Sequence, residues 1–169
     1  MRTNLSSQIS LNRVSTRYYK PENTIERSVL TRFEKIPTNI YETVDEGVSC
    51  IADEIIRKVQ ERQRDGKFCT IAAGTGASLR PLFAELVRRH KEEGVSFRNV
   101  VVFNLYEYYP LTEPNNSSFN QLNELFLKQV DIDPQNVFTL NGTIPQEGVI
   151  DHCHLYEQRI KTYGGIDIA

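Results

Sequence analysis

The sequence predicts an α/β fold in which helices cover a parallel sheet. Two short runs, KFCTIAA (67–73) and NVVVFNL (99–105), are apolar throughout, as strands buried on both faces must be. Segments with apolar residues at helical spacing stand between such runs. The two patterns alternate along the chain, which is the signature of strand–helix–strand crossovers. At 169 residues the chain is long enough to bury a core as one domain.

In order, residues 1–35 are polar with little periodicity and read as an N-terminal extension, with a short helix near Thr24–Phe33. Residues 36–169 read as the α/β domain. Thr43-Val-Asp-Glu46 fits a capping box. The stripe Val44, Val48, Ile51, Ala52, Ile55, Ile56 and Val59 then predicts a helix ending in QERQRDGK. After the strand 67–73 comes the turn GTGAS (74–78), where Ser78 is placed to cap a helix with Pro81 in its first turn. Leu82, Phe83, Leu86 and Val87 form that helix's apolar face, and Gly94 closes it. The strand 99–105 precedes a helix over Ser118–Val130, a strand over 137–141, and a helix over Asp151–Tyr163 stopped by Gly164-Gly165. IDIA (166–169) opens a fourth strand, so the domain is expected to be incomplete at its C-terminus and part of a longer protein.

Composition excludes some function classes. A formal net charge of −2 gives no general attraction to nucleic acid or anionic lipid. No apolar run approaches a membrane span, and MRTNLSSQISLNR has no apolar core of a secretory signal. Cys50, Cys69 and Cys153 have no paired spacing and read as buried free thiols in a reducing cytoplasm. His152-Cys-His154 is no metal site, because consecutive helical residues diverge, and Cys153 is expected on the apolar face. His90 reads as a helix-dipole partner, and the basic cluster Arg88-Arg89-His90-Lys91 as a solvated helix end. No cofactor is expected.

Ligands of parallel sheets bind beyond the carboxyl ends of the strands. Two turns fall there, GTGAS and YEYYP, and they share one crevice if their strands are neighbours. In the first, Gly74 and Gly76 permit positive φ, the amides opening the helix favour an anion, and Thr75 and Ser78 add hydroxyls. A phosphate cradle and a ligand-free turn both fit that spacing. A P-loop does not, since no Gly-Lys-Ser/Thr follows. A dinucleotide fingerprint also fails: Leu79 stands at its third small position and Asn104 at its ribose carboxylate. In the second turn, Glu107 is either a proton-moving carboxylate or a loop carboxylate paired with an Arg, flanked by Tyr106, Tyr108 and Tyr109.

These stretches, with PNNSSFNQL, VDIDPQNVFTLNG and YEQRIKTYGGIDI following in order, resemble the glucosamine-6-phosphate deaminase/isomerase family, with 6-phosphogluconolactonases more distant. The likeness spans roughly residues 36–169. It implies a Rossmann-like parallel sheet with flanking helices and a sugar-phosphate ligand. Gly74, Thr75, Gly76, Ala77 and Ser78 would hold the phosphate, and Asn104 and Tyr108 would wall the sugar. The family strand ends F-N-x-D-E-Y, and its Asp moves a proton between the first two sugar carbons. Tyr106 stands at that position here, with Glu107 beside it as the second catalytic candidate. The family's later D-G-H segment follows the strand that IDIA begins. The chain alone is therefore expected to bind the sugar phosphate without deaminating it. A non-catalytic sensor, or an isomerase or lactonase of another sugar phosphate, are the alternatives. The resemblance further implies a cytoplasmic homo-oligomer that contacts neither nucleic acid nor membrane.

Overall fold

The computed structural model describes residues 39–169 together with Asn23–Ile25 and Ser28. Thr24, Ile25 and Ser28 are helical, and the remainder of the helix expected near Thr24–Phe33 lies outside the described residues. The chain divides into units Met1–Glu42 and Thr43–Ala169, and the second contains the sheet.

Helix α1 (Val44–Arg64) starts at Thr43, whose hydroxyl accepts from the Glu46 amide at 3.1 Å. Ala52, Ile56 and Val59 are buried, whereas Val44 and Ile51 at the margin of the stripe are exposed. Strand β1 (Cys69–Ala73) leads into a 3-10 turn at Ala77–Leu79 and then helix α2 (Arg80–Glu93). Gly94 ends α2 at φ +72°, a left-handed conformation that glycine adopts without a Cβ clash. Strand β2 (Val100–Asn104) is buried at every residue. Helix α3 (Ser118–Leu125), strand β3 (Val137–Phe138) and helix α4 (Val149–Thr162) complete the order.

All three strands are parallel, in spatial order β1-β2-β3. Val100 and Val102 join the core formed with Ala52, Val59, Phe83, Leu86, Phe97, Leu122 and Phe126. The alternate residue Phe103 stacks on Phe138 and meets the edges of Tyr156 and Tyr163. Side chains alternate across a strand, so β2 is covered on both faces and reads as a continuous apolar run.

Several expected elements are shorter. The helix expected to reach Val130 ends at Leu125, because Phe126 leaves helical geometry (φ −139°, ψ −59°) and a 3-10 turn follows at Leu127–Gln129. Phe126 thereby stacks on Phe83 and meets Phe97 edge-on, so core packing overrides helix propensity. The strand expected over 137–141 is cut to two residues because the Leu140 amide bonds to Asn104 Oδ1 at 2.7 Å instead of a ladder carbonyl. IDIA contributes one parallel bridge, Ile168 to Ile71, on the side of β1 away from β2. Asp167 secures it, accepting from the Thr70 amide at 3.0 Å and pairing with Arg62 of α1.

The thiol expectations need correction. Cys69 is buried, and burial pushes its pKa up to about 11, but Cys50 is half-buried and Cys153 exposed. Cys153 therefore does not lie on the core face of α4. Arg89 is not a solvated helix end either: it bonds Glu85 at 2.6 Å and Asp53 at 3.0 Å, tying α2 to α1. His90 lies in the last turn of α2, with Nδ1 2.6 Å from the Val95 carbonyl in the loop beyond Gly94.

Candidate functional site

Strands β1 and β2 pair with Ala73 opposite Asn104, and the Leu105 amide bonds the Ala73 carbonyl at 2.9 Å. Both turns therefore leave the same end of the sheet from adjacent strands.

At the first turn, Gly74 and Thr75 are buried while Gly76, Ala77 and Ser78 face solvent. The expected positive φ is absent: Gly76 is extended at φ −58°, ψ 150°, and the positive-φ glycines among the described residues are Gly66, Gly94, Gly164 and Gly165. Gly74 brings the backbone close to the Tyr106 ring, and a Cβ there would lie 3.3 Å from it. Ser78 does not cap α2. The helix is entered through the 3-10 turn, in which Leu79 N–H bonds Gly76 C=O and Arg80 N–H bonds Ala77 C=O. Among the described residues no protein group accepts from the amides of Gly76, Ala77 or Ser78. Three successive open N–H groups at a helix start, beside an exposed serine hydroxyl, suit an oxyanion.

At the second turn, Tyr106 Oη lies 3.2 Å from Thr75 Oγ1, which lies 2.9 Å from Ser118 Oγ at the start of α3. The hydrogen bond with Thr75 outweighs desolvation and holds the Tyr106 phenol below its usual pKa. Glu107 turns away from this crevice. Its carboxylate accepts from Ser117 Oγ (2.7 Å) and the amides of Ser118 (2.8 Å), Phe119 (3.1 Å) and Tyr108 (3.0 Å). Partial burial pushes its pKa up, but those donors together push harder, and the group stays below the usual carboxylate range. Glu107 thus covers the orphan amides of α3 beside the N-cap Ser117, whose own hydroxyl accepts from Asn120 N–H at 3.1 Å. Among the described residues no Arg pairs with it.

Asn104 is 1% exposed. Its amide donates to the Tyr106 carbonyl at 3.0 Å and its Oδ1 accepts from Leu140, while Tyr156 Oη donates to the Asn104 carbonyl at 2.8 Å. It fixes the turn carrying Tyr106 and offers no surface to the crevice. Tyr108 is exposed and meets Tyr106 edge-on, with ring centres 6.3 Å apart. His152 is engaged by the Asn141 amide at 3.0 Å, while His154 is exposed.

Ser117, Ser118 and Gly142 are the residues that sequence reasoning passed over. The S-S-F start of α3 carries a cap signal, but its link to Thr75 and Glu107 is made only in three dimensions. At Gly142 a Cβ would sit 2.3 Å from the Tyr108 carbonyl, and Gly142 C=O accepts from Leu111 N–H at 2.7 Å. This contact holds the back of the tyrosine-rich turn.

A family model described as glucosamine-6-phosphate isomerases/6-phosphogluconolactonase matches residues 42–168. The chain belongs to this family. A putative glucosamine-6-phosphate deaminase-like protein of Bacteroides thetaiotaomicron is 59% identical over 100% of this chain and 26% of its own length. A glucosamine-6-phosphate deaminase of Dictyostelium discoideum is 33% identical over 71% of this chain and 48% of its own. The structure of a monomeric glucosamine-6-phosphate deaminase superposes with a TM-score of 0.66 at 26% identity, covering 75% of this chain and 51% of that one. A 6-phosphogluconolactonase from Thermotoga maritima shares the fold, with a TM-score of 0.54 at 22% identity over 68% of this chain and 50% of that one. The chain thus spans a quarter to a half of the length of these family members.

Proposed function

We propose that this chain is the phosphosugar-binding portion of a glucosamine-6-phosphate deaminase-like protein. Residues Gly74–Ser78 take the phosphate, and the end of β2 with Tyr106 and Tyr108 lies beside the sugar. The observation that carries the reading is the run of open amides at Gly76, Ala77 and Ser78, on the same sheet end as the tyrosine turn. A phosphate there meets exposed N–H groups that have no protein acceptor and the positive end of α2. Residues 36–169 form the family portion and residues 1–35 an added arm.

Substitution of Ala77 by Pro tests the cradle with little backbone cost. Gly76 already has the extended geometry that a following proline requires, and Ala77 opens a 3-10 turn. Calorimetry with glucosamine 6-phosphate should show about tenfold weaker binding to Ala77→Pro, as expected for loss of one hydrogen bond to a charged group, with unfolding unchanged. Equal affinity in both proteins contradicts the proposal.

A non-catalytic sensor is the second reading, favoured by one observation: neither candidate proton carrier is available as a base. An unperturbed phenol titrates near pH 10; the Thr75 hydrogen bond lowers Tyr106 from that value but also occupies its oxygen. Glu107 is committed to four donors. Ammonia release by this chain is therefore expected to be absent. In the full-length protein, Tyr106→Asp separates the readings: activity that appears only on substitution marks a lapsed deaminase, and fast turnover with Tyr106 in place contradicts the sensor.

A cytoplasmic setting and self-association complete the proposal. The apolar groove of about 460 Å³ along β1, lined by Ile51, Ile55, Leu79 and Leu105, favours contact between copies. Light scattering that finds only monomer at high concentration argues against it.

A further inference from the structure

We infer that Tyr106 is the outer end of a three-hydroxyl chain, Ser118–Thr75–Tyr106, which aims the phenolic proton into the crevice as a fixed donor to a ligand oxygen. The identity of that ligand rests on the phosphosugar reading above. The direction of the chain does not.

The chain is defined by two contacts, Ser118 Oγ to Thr75 Oγ1 at 2.9 Å and Thr75 Oγ1 to Tyr106 Oη at 3.2 Å. Exposure rises along it, from 1% at Ser118 to 7% at Thr75 and 38% at Tyr106. Three hydroxyls carry three protons, and two are used between them, so one is left over: at an end if both bonds run the same way, or on Thr75 if both ends donate to it. On Thr75, which is 7% exposed, that proton would meet no further acceptor among the described residues. If the bonds ran inward, from Tyr106 to Thr75 to Ser118, the spare proton would sit on Ser118. That site is closed to water, and among the described residues no second acceptor meets the Ser118 hydroxyl. A buried donor without an acceptor is the costly arrangement, whereas a spare lone pair on the same oxygen is tolerated better. The bonds therefore run outward: Ser118 donates to Thr75, Thr75 donates to Tyr106, and the spare proton is the phenol's.

The placement of the ring agrees. The ring packs close to Gly74, where an added Cβ would lie 3.3 Å from it, and the Asn104 amide on the Tyr106 carbonyl holds the turn. Successive hydroxyls polarise one another, which strengthens the last donor. The side chain thus serves as an oriented neutral donor, one hydroxyl away from the open amides. A hydroxyl or carbonyl oxygen on the sugar part of a phosphosugar is the matching group.

Two measurements on the full chain decide this. Tyr106→Phe keeps the ring and removes the donor. Its affinity for glucosamine 6-phosphate should fall about three- to tenfold, the range for one neutral hydrogen bond, while inorganic phosphate binds as before. Unchanged affinity for the sugar phosphate, or an equal loss for both ligands, overturns the assignment to a sugar oxygen. The second measurement needs no ligand. A Raman difference between wild type and Tyr106→Phe isolates this residue's ring doublet, whose intensity ratio separates a phenol that accepts a hydrogen bond from one that only donates. An accepting signature supports the outward chain, and a donor-only signature overturns it. Failure of the wild type to bind either ligand refutes the phosphosugar reading and the ligand assigned here, and the Raman result still decides the direction of the chain.

Discussion

Replacing Glu107 by Gln tests whether this carboxylate is structural. Its two oxygens accept from four donors, two apiece: the Tyr108 and Ser118 amides on Oε1, the Ser117 hydroxyl and Phe119 amide on Oε2. Glutamine keeps one oxygen and sets an NH2 group against the other two donors. Two lost hydrogen bonds cost about 2 kcal/mol. Removing the negative charge from the start of α3 adds about 0.3–1 kcal/mol. The expected loss is therefore about 2–3 kcal/mol, seen in urea unfolding as a lower midpoint with an unchanged slope. The loss should also depend on pH. The folded-state pKa of Glu107 is depressed, so its contribution is complete above the ordinary carboxylate range and disappears as pH falls through the lowered value. Wild type and Glu107→Gln should converge in acid. A variant within about 0.5 kcal/mol of wild type at neutral pH would refute the capping role.

Two further outcomes follow from the same structure. Gly142→Ala forces a methyl group against the Tyr108 carbonyl, 2.3 Å away, and should destabilise the fold by about 1–3 kcal/mol in thermal or urea unfolding. Glu85 is held down to a pKa of about 2 by Arg88 and then Arg89, so its stabilising share is complete above its ordinary value near 4.3 and is lost as pH falls toward 2. Glu85→Gln should flatten the acid limb of the stability profile in that window, and an unchanged limb would contradict the assignment.

Most of the fold is legible in the sequence because its strands are buried on both faces and its helices on one. The apolar runs 67–73 and 99–105 contain β1 and β2 for that reason. Where a side chain substitutes for backbone, the reading fails. Asn104 takes the Leu140 amide and shortens β3, and Phe126 breaks α3 to reach Phe83 and Phe97. The site was legible in the same uneven way. GTGAS stands out through composition, and parallel pairing places it beside the tyrosine turn. The roles of Glu107 and Asn104 were not legible, because they depend on partners at Ser117–Phe119 and Leu140 that no local pattern announces. Tyr106 shows its function least in the sequence, since its hydroxyl acquires a direction only from the buried Ser118 behind Thr75.

The central claim is that the opening of α2 binds the phosphate of a sugar phosphate. Amide chemical shifts followed by NMR during titration with glucosamine 6-phosphate test it most directly. The account predicts saturable shifts centred on the amides of Gly76, Ala77 and Ser78, with Tyr106 and Tyr108 moving in step. Shifts confined to other parts of the chain, or none at millimolar ligand, would contradict it.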